Sequence, residues 1–225
     1  MSCRVVVPPP TFLTKKSLEN LNGTSPGKVS TVLTNLQRRN VQTLNFDVVH
    51  ELSIFQMAAQ GELLLLQSKL EAPGVNVDVQ DIQGFSPLLW ACANGQKAAV
   101  ELLLFHGANP LLTGDNGENG LLLASCRGHF DVVLYLLRAG VPVNITDELC
   151  NSALMFAAYY NHVAIVSLLL DWGADVTAVN ADGWNALQFA VRRYSRASQR
   201  VIEKHIISLL QNKPENLCLS TSIGR

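Results

Sequence analysis

Ser86-Pro87-Leu88-Leu89-Trp90-Ala91-Cys92 opens a unit that returns 33 residues later as Asn119-Gly120-Leu121-Leu122-Leu123-Ala124-Ser125, and again as Ser152-Ala153-Leu154-Met155-Phe156-Ala157-Ala158. Working outward, the same opening stands at Ser53-Ile54-Phe55-Gln56 and at Asn185-Ala186-Leu187-Gln188, so five registers agree. Gly74, Gly107, Gly140 and Gly173 keep the same step. A period held without a slip marks a stacked repeat. The leading Ser or Asn of each unit can cap a helix, and Pro87 falls in the first turn, where no amide donor is needed. Small pairs follow at Ala58-Ala59, Ala91-Cys92, Ala124-Ser125 and Ala157-Ala158. Such side chains let neighbouring helices pack closely.

A second helix is written by Val100, Leu103 and Leu104, repeated as Val133, Leu136 and Leu137 and as Val166, Leu169 and Leu170. The spacing puts one apolar stripe on each helix. The glycine beyond each stripe suits a left-handed helix stop, and Gly173-Ala174-Asp175-Val176 and its equivalents lead into the hairpin of the next unit. The openings resemble the Thr-Pro-Leu-His signature of ankyrin repeats. The expected fold is therefore all-α: an ankyrin-repeat solenoid of five helix-turn-helix repeats joined by β-hairpin loops. Units of this kind bury their faces only by stacking, so terminal ones are expected to be atypical. The first has one residue fewer between its helices, at Ala58-Ala59-Gln60-Gly61. The last reads Arg192-Arg193-Tyr194 where a Gly-containing turn is usual, then recovers a stripe in Val201, Ile202, Ile206, Leu209 and Leu210.

Of the 225 residues, 48% are hydrophobic and 16% charged, enough to bury a core in one extended domain. Residues 47–212 hold the period. Residues 1–46 do not; rich in Pro, Ser, Thr and Asn, they read as a disordered basic leader. Residues 213–225 read as a flexible tail, because Pro214 just past the last periodic residue fits a helix end. Val5-Val6-Val7 is too short for a signal-peptide core, and the longest apolar runs fall far short of a membrane span. Together with five cysteines that form no Cys-x-x-Cys pair, this predicts a chain kept inside the cell with reduced thiols. The net charge of -1 divides unevenly: the leader holds six bases against one acid, or +5, leaving -6 for residues 47–225. An acidic repeat region is a poor match for a phosphate backbone, so direct nucleic-acid binding is not expected.

No Gly-x-Ser-x-Gly, Walker-type loop or His-Glu-x-x-His pattern occurs, so no catalysis, cofactor or metal is expected. His129 and His162 fall 33 apart, just after the turn between helices. A polar residue satisfying the turn backbone is the favoured reading there, since no other ligand shares their spacing.

Function is sought where the repeats differ. The first-helix position that faces the groove in ankyrin folds holds Met57, Trp90, Leu123, Phe156 and Phe189; Arg127, Tyr159, Tyr160 and Arg192-Arg193 follow on the same helix side. Aromatic and Arg side chains in one exposed row have the composition of a binding hot spot. Trp90, Leu123, Arg127, Phe156, Tyr159, Tyr160 and Phe189 are thus candidate peptide contacts, against the alternative that Trp90, Leu123, Phe156 and Phe189 fill space between helices. Phe85, Glu118, Asn151 and Trp184 share the hairpin-tip register. Phe85 and Trp184 are the expected contacts among them, with packing on the adjoining hairpin as the alternative.

Further stretches are more specific than a generic repeat: Leu52-Ser53-Ile54, Met57-Ala58-Ala59-Gln60-Gly61-Glu62, Gly84-Phe85-Ser86-Pro87-Leu88 with Trp90-Ala91, Asn161-His162-Val163, and Val201-Ile202-Glu203 with His205 and Leu209-Leu210-Gln211. With Leu33-Thr34-Asn35, Gln37-Arg38 and Asn40 in the leader, they resemble the group formed by RFX-associated ankyrin-containing and ankyrin repeat family A proteins, from about residue 31 to residue 211. The resemblance implies an adaptor present in nucleus and cytoplasm. Its implied partners are subunits of an RFX-type promoter complex, which supply the DNA contact, and proline-containing segments of Pro-x-Leu-Pro-x-Ile/Leu type such as those of class IIa histone deacetylases. Trp90 matches the family's groove tryptophan, and Phe156 stands where the family has Tyr. Leu122 stands where it has Ser, and Tyr159-Tyr160 where it has smaller residues. The competing reading is an inhibitor or targeting subunit docking on a globular enzyme or transcription factor through its hairpin tips.

Overall fold

The computed structural model describes residues 52–211. The leader, the tail, Cys3 and Cys218 lie outside them. Among the described residues ten α-helices form five antiparallel pairs: α1 (Ile54–Gln60) with α2 (Leu63–Leu70), α3 (Pro87–Ala93) with α4 (Lys97–Phe105), α5 (Gly120–Arg127) with α6 (Phe130–Arg138), α7 (Ala153–Tyr159) with α8 (Val163–Asp171), and α9 (Ala186–Arg192) with α10 (Arg196–Gln211). Every first helix starts as its sequence dictates. Ser53, Ser86, Asn119, Ser152 and Asn185 adopt extended backbone, and the side chain of each accepts from the amide three residues on, at 2.9–3.4 Å. Gln56 and Gln188 return the bond to the cap amide and complete capping boxes.

Between units the chain makes a hairpin one antiparallel bridge wide, at Thr113–Asn119, Thr146–Ser152 and Val179–Asn185. A polar side chain at its base gathers the tip. Asp81 Oδ1 accepts from the amides of Gln83 and Phe85, Asp147 Oδ1 from those of Leu149 and Asn151, and Asn180 Oδ1 from those of Asp182 and Trp184. In the remaining hairpin this position is Gly114, and Glu118 accepts from the Asn116 amide instead. A Cβ there would lie 3.1 Å from the Phe85 ring of the preceding hairpin, a tight contact that the glycine avoids.

A recurring polar contact ties each pair to the one before. Gln96 donates to the Ala59 carbonyl at 3.3 Å, His129 Nε2 to Ala93 and His162 Nε2 to Cys126 at 3.1 Å each, and Ser195 to Tyr159 at 3.3 Å. A carbonyl only accepts, so both imidazoles carry their proton on Nε2. This is the turn-satisfying role expected of the two histidines. The turn beneath must be bare to admit the ring: a Cβ on Gly95 would sit 2.4 Å from His129 Nδ1, and one on Gly128 would sit 2.6 Å from His162 Cε1. Asn161 occupies the equivalent left-handed position at φ 61°. Ser195 is correspondingly small, and the Asn161 carboxamide accepts from both the amide and the hydroxyl of Ser198.

First helices pack on first helices and second on second along the stack. Ala58, Ala91, Cys92, Ala124, Ser125, Ala157 and Ala158 are fully buried at the first-helix contacts, and Val100, Leu103, Val133, Leu136, Val166 and Leu169 at the second. The ends differ as stacking predicts. Leu64 is 85% exposed on α2, and of the stripe read in α10 only Ile202 is buried, while Leu209 and Leu210 are 51% and 68% exposed, since no described unit covers them. No helix among the described residues is long and apolar enough to cross a membrane.

Two predictions follow from the turns. Tyr194 holds the left-handed position of the last turn at φ 57° with its side chain 83% exposed. An L-residue pays about 1–2 kcal/mol there, partly offset by the unfolded-chain entropy that glycine adds, so Tyr194→Gly should stabilise the fold by about 0.5–1 kcal/mol. An unfolding curve that shifts to lower denaturant refutes it. His129 is held below the ordinary imidazole range, first by burial and then by the nearby Arg127 and His162 charges, against the opposing pull of the Ala93 carbonyl. The unfolded chain therefore takes up the proton first: stability from this group is complete above about pH 6.5 and is lost as pH falls from there through the lower folded value. His129→Gln, which copies Gln96, should keep the bond and flatten the stability profile between about pH 7 and pH 5. A variant profile as steep as wild type assigns the loss elsewhere.

Candidate functional site

The candidate contacts divide on burial. Phe85, Leu123 and Phe189 are 3%, 4% and 5% exposed and belong to the core, so for these three the packing alternative describes the molecule. Phe85 lies on Gly114, and Phe189 is flanked by the rings of Tyr159 at 5.8 Å and Trp184 at 6.2 Å. Met57, in the same register, is buried too. Leu122 is 1% exposed and belongs to the core as well. Trp90, Phe156, Tyr159, Tyr160 and Trp184 remain half-buried, and Arg127 and Arg192 are exposed.

At the N-terminal end, Trp90 is held by a residue that the period alone did not single out. Its indole N–H donates to Asp81 Oδ2 at 2.8 Å, while the other oxygen of that carboxylate gathers the hairpin tip. The buried Phe85 ring stands 5.8 Å away at a tilt. One carboxylate thus fixes both the loop and the tryptophan, leaving the rest of the indole at the surface. The available signal was the series Asp81, Gly114, Asp147, Asn180, 33 residues apart.

Toward the C-terminal end the aromatics form one cluster. Tyr159 and Tyr160 meet edge to face at 4.8 Å, Arg193 lies over the Tyr159 ring at 4.6 Å, and Arg192 lies over Trp184 at 4.9 Å. Tyr160 stacks on His162, beside the Cys126 side chain. Burial, with Cys126 and Tyr159 as neighbours, pushes the Tyr160 phenol up to about 12, and burial raises the Cys126 thiol as well. Both stay protonated at neutral pH, so the thiol is held in its unreactive form. Among the described residues no three His, Cys, Asp or Glu side chains converge to hold a metal ion.

The Asp81 contact is testable directly. Trp90→Phe keeps an aromatic ring but leaves Asp81 Oδ2 without its donor, and should lower stability by about 1 kcal/mol. Asp81→Asn combined with Trp90→Phe should cost less than the sum of the single changes. Additive costs in that double-mutant cycle would mean that the two side chains do not interact.

Comparisons with known proteins agree with this geometry. A family model described as ankyrin repeats matches residues 54–147 and 121–206. Ankyrin repeat family A protein 2 of Homo sapiens is 56% identical over 191 residues, covering 85% of this chain and 61% of that protein, and its Bos taurus counterpart gives the same figures. DNA-binding protein RFXANK of Homo sapiens is 43% identical over 101 residues, or 45% of this chain and 39% of that protein. The chain thus spans about three-fifths of the length of the first of these relatives. The paired helices, the capped openings and the matched residues make this chain a member of the ankyrin-repeat family.

Proposed function

We propose that the chain is a non-enzymatic adaptor whose first-helix face grips an extended proline-containing segment of Pro-x-Leu-Pro-x-Ile/Leu type. On this reading it serves, in nucleus and cytoplasm, class IIa histone deacetylases or a similar partner, as a subunit of an RFX-type regulatory complex that leaves the DNA contact to others. The observation that carries the proposal is the set of rings left half-buried on one face: Trp90, Phe156, Tyr159 and Tyr160, beside register positions closed by Met57, Leu123 and Phe189. Flat rings held by fixed partners present apolar surface at low entropic cost, which suits the pre-extended backbone and ring faces of a proline-containing peptide. The likeness to ankyrin repeat family A protein 2 and to RFXANK supports the same assignment.

Docking through the hairpin tips has less to work with. Phe85 is spent on Gly114, Glu118 on the Asn116 amide, and Asn151 on Asp147 and Asn180. DNA contact by the repeats is opposed by their charge, since residues 47–185 carry fifteen acids against four bases.

Titration with a Pro-x-Leu-Pro-x-Ile peptide tests the reading. Trp90→Ala or Phe156→Ala should each remove about 2 kcal/mol of binding, roughly thirtyfold in Kd, with a parallel unfolding curve to certify the fold. A folded Trp90→Ala that binds as well as wild type defeats the assignment of the face. A Phe156→Ala variant of unchanged affinity confines the anchor to Trp90.

A further inference from the structure

The sign of the charge reverses at the last helix pair. Residues 47–185 sum to -11, whereas residues 186–211 hold Arg192, Arg193, Arg196, Arg200 and Lys204 against Glu203 alone, or +4. Two of these cations are positioned by aromatic rings: Arg192 over Trp184 at 4.9 Å and Arg193 over Tyr159 at 4.6 Å. Both are exposed, and among the described residues neither forms an ion pair; the one salt bridge there is Lys97–Glu101. A guanidinium held over a ring face can keep N–H groups for a planar anion and has less freedom left to lose on binding.

We propose that Arg192 and Arg193, set by Trp184 and Tyr159, form a carboxylate-binding site for an acidic stretch of the polypeptide ligand, next to its proline-containing core. The proposal rests on the reading of the first-helix face given above, because Tyr159 belongs to both. It names what that face selects beyond the apolar core: Asp or Glu side chains at the end of the ligand that reaches the last helix pair. Carboxylate matches the guanidinium fork in a bidentate arrangement. A peptide is favoured over a nucleic acid because the +4 unit adjoins a region of -11. A short acidic stretch confined to the end gains from the first without meeting the second, while a long polyanion meets both.

The experiment uses the full chain and labelled Pro-Ala-Leu-Pro-Ala-Ile peptides carrying Asp-Glu-Asp-Glu at one end, at the other, or Asn-Gln-Asn-Gln in its place. At about 50 mM salt the acidic extension at one of the two ends should tighten binding about tenfold, and most of that gain should vanish at about 500 mM. Arg192→Gln/Arg193→Gln should abolish the gain, read as the ratio of acidic-peptide to neutral-peptide affinity measured on the same variant, with an unfolding curve to certify the fold. Arg192→Lys/Arg193→Lys should restore only part of it, since the charge returns without the flat fork. A neutral peptide that binds normally with no gain from either extension overturns this proposal and spares the face. A neutral peptide that fails to bind overturns the reading of the face; the site is then judged by adding Asp-Glu-Asp-Glu alone and following the side-chain N–H resonances of Arg192 and Arg193, whose failure to shift overturns it. A DNA duplex that displaces the acidic peptide and binds more tightly than it does would reassign the site to nucleic acid.

Discussion

Everything in this stack depends on the contact by which each helix pair grips the carbonyl at the end of the preceding first helix. Gln96, His129, His162 and Ser195 reach back to Ala59, Ala93, Cys126 and Tyr159. A helix C-terminus leaves carbonyls unsatisfied, and in a stack that end is partly covered by the next unit. The neighbour's side chain answers the deficit and so fixes how the two units sit. The turn residue beneath must then leave room, which makes Gly95 and Gly128 obligatory twice over, once for a positive φ and once for the ring above. Where the turn carries Asn161 the rung shrinks to Ser195, and the asparagine makes its own bonds to Ser198. Residues 161, 195 and 198 thus depart together from the pattern of the other turns.

The same logic explains which parts of the molecule could be read from the chain and which could not. The openings, the stops and the two histidines were legible because each is decided within its own unit or by a step of 33 residues: a capping side chain bonds an amide three positions away, and a positive φ wants glycine wherever it occurs. Burial within one register was not legible. Trp90, Leu123, Phe156 and Phe189 are equivalent by sequence, yet Phe189 is closed by Tyr159 and Trp184 while Trp90 keeps its place through Asp81. Size was a poor guide, because what covers a side chain belongs to the adjoining unit. Phe85 makes the point most sharply: it packs against Gly114 of the next hairpin, and nothing near residue 85 reveals that.

A solenoid held by nearest-neighbour contacts can vary its surface without disturbing its frame, provided the varied residues avoid the rungs. At the N-terminal end of the proposed binding face the variation is separate from them, since Trp90 hangs on a hairpin carboxylate. At the C-terminal end the two are joined. Tyr160 stacks on the His162 ring, while the Cys126 backbone carbonyl accepts from that same ring; the Tyr159 carbonyl is the acceptor for Ser195, and its phenol lies under Arg193.

That joining has a mechanical consequence. A side chain that grips a ligand and also packs against a rung cannot shift on binding without loosening the contact between units, so the C-terminal cluster should act as a rigid wall. Trp90 has the freer surroundings, with one polar bond at its edge and a tilted ring beside it. Rigid aromatic surface contributes affinity because little freedom remains to be lost. On the proposed reading the cost is tolerance: Tyr159 and Tyr160 fill space, so ligands that would need that space should be excluded by the same contacts that hold the last helix pairs in register.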